Sequence, residues 1–190
     1  MPDGSDSGPR KTSTNGWLSV EIVRDAGDWG AFEPAEVHVE AAASALGAHA
    51  RFRDQTRAAA CVALSDDANV RRLNATYRSK DKPTNVLSFP AQARGNATTA
   101  GPHMLGDVVL AEETVLQEAS SLGLTPAHHL EHLVVHGLLH LLGFGHEEDG
   151  EAAVMERLET EILSTRGISD PYAEPVAAKI ALAREKGRRR

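Results

Sequence analysis

Three histidines in the C-terminal half of the chain have the spacing of a metal site. His136 and His140 are four residues apart, which on a helix puts both imidazoles on one face, about one turn apart and within reach of a single ion. Gly143 allows the chain to turn directly afterwards, so that His146 can return as a third ligand along His136-Gly-Leu-Leu-His140-Leu-Leu-Gly143-Phe-Gly-His146. Three neutral nitrogens with one open position suit catalytic zinc, whereas structural zinc is usually closed by four ligands, often cysteines. Cys61 is the only cysteine. The expectation is one Zn2+ held by His136, His140 and His146. His132 lies one turn earlier on the same face, but a straight helix would separate His132 and His140 by about 12 Å along its axis. It is expected to pack beside the site or hydrogen-bond to it. His38, His49, His103, His128 and His129 read as surface or local hydrogen-bonding residues.

The histidine spacing resembles the metzincin peptidase signature, in which a glutamate directly after the first histidine is the general base. Here that position is Gly137. A zinc peptidase would need Glu147, Glu148 or Asp149 to substitute from the following loop. An ion bound by three neutral ligands keeps its positive charge, which favours an anionic partner such as a phosphodiester. A guanidinium nearby would help stabilise the charge of phosphoryl transfer. The segment Tyr77-Arg78-Ser79-Lys80-Asp81-Lys82-Pro83-Thr84-Asn85-Val86-Leu87-Ser88-Phe89-Pro90 gathers basic, hydroxyl and amide groups just before an apolar run, where a loop can present them at a sheet edge.

The elements that must position these groups are legible in outline. Trp17 to Arg24 alternates well enough for a strand, and a helix follows from Pro34 to Gly47. Ala58 to Leu64 is a continuous apolar run, expected to be a strand covered on both faces. Ser65 or Asp66 can cap a helix reaching Tyr77. Val86 to Phe89 and Gly106 to Leu110 read as strands, Gly95 to Pro102 as a loop and Glu112 to Leu122 as a helix. Thr125 and Pro126 mark the start of the histidine-bearing helix, which should end at Gly143. A last amphipathic helix, Glu151 to Thr165, uses Val154, Leu158 and Ile162 as its buried stripe. Residues 1–16 read as a flexible tail and those beyond Gly167 as a variable basic tail, leaving one α/β domain with helices packed on a small mixed sheet.

With 190 residues, 41% of them apolar and 25% charged, the chain is sized for a single core. It has no apolar run of membrane-spanning length and no apolar leader, so a soluble cytoplasmic protein is expected. The net charge of -7 argues against indiscriminate nucleic-acid binding, yet the basic residues between Arg51 and Lys82 and the final three arginines leave room for a phosphate-bearing partner.

The two segments together resemble the YbeY family of bacterial endoribonucleases and ribosomal RNA maturation factors. The resemblance rests on Leu73-Asn74, Tyr77-Arg78, Lys80 through Pro90, Leu105-Gly106-Asp107 and His132-Leu-Val-Val-His136-Gly137 through His146, in the family's order. It spans residues 17–167 and implies a zincin-like single domain with a four-stranded mixed sheet, zinc on His136, His140 and His146, and cleavage of single-stranded RNA. The implied role is ribosomal RNA processing, including maturation of the small-subunit RNA 3′ end, and ribosome quality control, with ribosomal subunits as partners. Arg78 matches the family's functional arginine and is expected, with His136, to carry catalysis; Arg78, Lys80 and Lys82 would bind substrate phosphates. Two positions depart from the family: Gly145 stands where aspartate usually precedes the last histidine, and Ser79 where glycine is common. A non-catalytic ribosome-assembly RNA-binding factor with structural zinc is the alternative.

Overall fold

The structure is a computed structural model that describes residues 10–91, 101–145 and 149–173. Strand β2 (Leu18–Arg24) buries Leu18, Val20 and Ile22 on one face. β3 (Ala58–Ser65) pairs with it in parallel, and parallel neighbours need a crossover, here helix α1 (Ala35–Ala48). β5 (His103–Ala111) lies parallel to β3, and β4 (Val86–Pro90) antiparallel to β5. Gly106 has φ +134 and a Cβ there would meet the Phe89 carbonyl oxygen at 2.1 Å, so only glycine permits this approach of β4 and β5.

Helix α2 (Asp67–Arg78) is capped by Asp66, whose Oδ1 accepts the Asn69 N–H at 2.8 Å. Its Val70 packs with Leu87, Val109 and Ala111 on one sheet face, while Val62, Leu64, Val108 and Leu110 belong to the larger core opposite. α3 (Glu112–Leu122), α4 (Pro126–Leu141) and α5 (Asp149–Ser164) complete the helices. Thr125 Oγ1 accepts the His128 N–H at 3.2 Å, and Pro126 occupies the first turn of α4. α4 lies against α1, α3, α5, β4 and β5, and Leu130, Val134, Val135, Leu138 and Leu139 on it are fully buried. The helix expected to carry the chemistry is therefore also the central helix of the core.

The expected α/β domain with a mixed sheet is present, with one strand more than expected. β1 (Arg10–Asn15) pairs antiparallel with β2 around Gly16 and Trp17, giving the order β1-β2-β3-β5-β4. This strand falls in the segment read as a flexible tail; it has no apolar residue, and backbone hydrogen bonds to β2 hold it. Residues 1–9 lie outside the described residues. The run Ala58–Leu64 is fully covered on one face only: Ala59, Cys61 and Ala63 are half-buried, since α2 reaches only the far part of that face. Beyond Gly167, Ile168 is buried in the main core, and residues 174–190 lie outside the described residues. Among the described residues no helix is long and apolar enough to cross a membrane.

Candidate metal centre and cleft

Helical geometry brings the His136 and His140 Nε2 atoms to 3.0 Å from each other. The opposite ring atoms are both committed. His140 Nδ1 lies 3.0 Å from the Phe144 carbonyl oxygen, and His136 Nδ1 lies 2.9 Å from Glu159 Oε1. A carbonyl and a carboxylate only accept, so each Nδ1 must donate and each Nε2 is left presenting a lone pair. Two lone pairs facing each other at this distance suit a cation between them, a proton or a metal. The donor set fits a divalent ion that binds imidazole nitrogens, with both rings held from behind. Gly143, at φ +87, turns the chain after α4 as expected. His146 lies outside the described residues.

Glu159, on α5, is wholly buried and gathers three donors: His132 Nε2 at 2.7 Å, His136 Nδ1 and the Tyr172 hydroxyl. Burial pushes its carboxyl up, but the hydrogen bonds from His132, His136 and Tyr172 outweigh this and bring it down to about 2. The Tyr172 phenol is pushed up by burial and by the Glu159 charge. His132, His136 and Glu159 each offer a ligand atom within 4.8 Å of the others, so this cluster is itself able to hold a metal ion. His132 and His136 thus meet on opposite oxygens of one carboxylate, Glu159 Oε2 and Oε1.

His136 and His140 open onto a cleft of about 610 Å³ whose opposite wall carries Arg78, Lys80 and Lys82. All three basic side chains are exposed, and Arg78 Nη2 donates to the Ser88 carbonyl at 3.4 Å. The loop is shaped by Asn74, buried on α2, whose Nδ2 donates to the Lys82 carbonyl at 2.7 Å. Ser79 turns the chain out of α2 in a left-handed conformation, φ 55 and ψ 29, a backbone for which glycine is the inexpensive residue. Arg71 and Asp81 pair at 2.7 Å on the outer side.

Position 137 does not face the cleft. A Cβ on Gly137 would lie 2.6 Å from Val108 Cγ1 and 3.3 Å from Ser88 Oγ, and Ser88 Oγ donates to the Gly137 carbonyl at 3.1 Å. Glycine there lets α4 lie close on the sheet, and a metzincin-type glutamate has no room. The carboxylate that does line the cleft is Glu151, alone among the described residues; its Oε2 stands 3.0 Å from where a Cβ on Gly145 would be. Glu147 lies outside the described residues, as does the side chain of Asp149. Sequence reading missed Glu151, Glu159 and Tyr172. Glu159 carried a signal, because Met155, Leu158, Glu159 and Ile162 fall on one helical stripe and three of the four are apolar.

A family model described as "Endoribonuclease YbeY" matches residues 33–167, from before α1 to beyond α5. The chain belongs to the YbeY family. An Endoribonuclease YbeY from Azorhizobium caulinodans is 47% identical over 161 residues, covering 83% of this chain and 98% of that one. Another, from Rhodospirillum rubrum, is 60% identical over 113 residues, 58% of this chain and 56% of that one. Among solved structures, that of a Thermotoga maritima protein covers 82% of this chain and 99% of its own at 22% identity, with a TM-score of 0.44. Both walls of the cleft fall inside the region that the YbeY model matches, whereas Tyr172 lies beyond it.

Proposed function

We propose that this chain is a metal-dependent endoribonuclease that cuts single-stranded RNA in ribosomal RNA processing, with one zinc ion held by His136, His140 and His146. The observation that carries the reading is the pair of Nε2 atoms at 3.0 Å, fixed from behind and opening on a cleft whose other wall is Arg78, Lys80 and Lys82. The names of the relatives support the same reaction class. The ion, when bound, would supply Lewis-acid polarisation of a phosphoryl oxygen.

The protein's own groups would do the rest. Arg78, braced by the Ser88 carbonyl, is placed to hold the scissile phosphate and offset charge as it builds. Lys80 and Lys82 would hold flanking phosphates as point charges, without reading base identity. Glu151 would accept the proton of the attacking hydroxyl at its carboxylate. Glu159 would fix the ring of His136, with His132 and Tyr172 fixing Glu159 in turn. Ribosomal subunits are the partners, and the cytoplasm the compartment, that this reading brings with it.

The test pairs metal analysis with cleavage of defined single-stranded ribosomal RNA by native, His136→Ala and Arg78→Ala proteins. Zinc at one ion per chain in the native protein and metal-dependent cutting lost in both variants is the expected result. Zinc-loaded protein whose cleavage equals that of both variants would leave only the reading of an RNA-binding assembly factor.

A further inference from the structure

A second cavity of about 530 Å³ adjoins the cleft, and the two share Asn85, Val86 and His136 as walls. Their charge differs. Arginine and lysine line the cleft, whereas among the described residues none lines the second cavity, which instead carries the carboxylate of Glu118. A phosphate would be repelled there. An uncharged planar group attached to a phosphate in the cleft would be accepted.

The second cavity has the parts for such a group. Tyr172, 42% exposed as a residue, lines the cavity with a ring fixed by its hydroxyl on Glu159 and by an edge contact with His132 at 5.9 Å; an aromatic face of this kind stacks any base. Val86, Leu133 and Leu122 supply apolar walls, and Leu122 is 62% exposed at the rim. Glu118 Oε2 accepts from Asn85 Nδ2 and His129 Nε2, both at 2.9 Å. Its two donors come from the protein side and both engage the same oxygen, which leaves acceptor capacity at Oε1. A carboxylate accepts from the exocyclic amine of cytosine, adenine or guanine and opposes the carbonyl that uracil carries at the matching position of cytosine.

We propose that the cavity formed by Asn85, Glu118, Leu122, Leu133, His132 and Tyr172 is a nucleobase subsite that receives the base beside the scissile phosphate and prefers an amine-bearing base to uracil. The proposal rests on the endoribonuclease reading for its phosphate, and its test separates the two. Cytidine and uridine, which have no phosphate, are titrated into zinc-loaded full-length protein while the backbone amides of Gln117 and Leu122 are followed by NMR. In parallel, a defined single-stranded RNA is cut with cytosine replaced by uracil at one position at a time around the cleavage site.

The expected result is that cytidine shifts both amides more than uridine does, and that one position adjoining the cut loses about tenfold in kcat/KM on the change to uracil. Glu118→Gln, which can donate as well as accept, should narrow that preference to about twofold or less. Leu122→Asp at the rim should weaken the cytidine shifts without the loss of fold that a core change risks. Cytidine shifts without any RNA cleavage would support the subsite and refute the endoribonuclease reading. Cleavage indifferent to cytosine or uracil at every position would overturn the subsite and leave that reading standing, and silence in both arms would overturn both.

Discussion

Replacing Gly137 with alanine should destabilise the protein, although it replaces a poor helix residue with the best one. In an exposed helix interior that change gains about 1 kcal/mol. Here the added methyl would sit 2.6 Å from Val108 Cγ1, 3.1 Å from Cγ2 and 3.3 Å from Ser88 Oγ. Val108 is wholly buried on β5 and its branched side chain has little rotamer freedom, so α4 must retreat from the sheet by several tenths of an ångström. Overpacking of this kind costs about 1–3 kcal/mol, and the retreat also stretches the Ser88 hydrogen bond to the Gly137 carbonyl, worth about 1 kcal/mol. The balance is a net loss of about 1–3 kcal/mol, or a fall in Tm of about 2–12 °C for a chain of this size. The assay is a double-mutant cycle by chemical and thermal denaturation of native, Gly137→Ala, Val108→Ala and doubly substituted proteins at matched metal content. With the valine methyls gone, the step from glycine to alanine should become neutral or stabilising. A rise in stability in the native background, or additivity within about 0.5 kcal/mol, would refute the close-approach argument.

The remaining predictions concern the site. Glu151→Gln should lower RNA cleavage by about 10²- to 10⁴-fold while leaving RNA affinity, measured by fluorescence anisotropy, unchanged or tighter; cleavage at the native rate would remove Glu151 from the chemistry. Glu159→Gln should weaken zinc about 10- to 100-fold in a competition titration, since it removes the charge that orients His136. Because the native Glu159 carboxyl lies near 2, below its ordinary 4.5, the unfolded chain binds more protons between those values. Its contribution to the metal-free protein is therefore complete above about pH 4.5 and is lost as pH falls toward 2, and urea midpoints of Glu159→Gln should fall less steeply across that window than those of the native protein. Ser79→Gly should raise stability by about 0.5–1 kcal/mol, by relieving the left-handed serine after α2, and an unchanged or lower denaturation midpoint would count against that strain.

Local chemistry made much of this fold legible. Thr125-Pro126 starts α4 where capping and the fixed φ of proline require it, Asp66 starts α2, and Gly143 ends the turn beyond α4. The mixed sheet and the YbeY resemblance follow from patterns within single segments. β1 was missed because Arg10 to Asn15 has no apolar face to alternate, though the Asn15-Gly16 pair before Trp17 is a hairpin signal. The site was legible where its residues share a segment: His136 and His140 sit one turn apart, and Arg78, Lys80 and Lys82 line the cleft they open on. Glu159, Glu151 and Tyr172 were not, because what they touch is set by how α5 and the chain after it lie against α4. Gly137 reads in the sequence as a missing general base and in the structure as a packing requirement.

The burial of α4 divides the cost of ordering the site unequally between its two walls. The histidine wall belongs to a helix enclosed by helices and sheet, so its backbone opens only with the core and its entropy is lost once, on folding. The opposite wall is an exposed loop from Arg78 to Lys82, held at its base by Asn74. Among the described residues, whatever ordering a phosphate backbone demands on binding falls on that loop. Changes to its stiffness should therefore act on RNA affinity and leave the spacing of His136 and His140 unaltered.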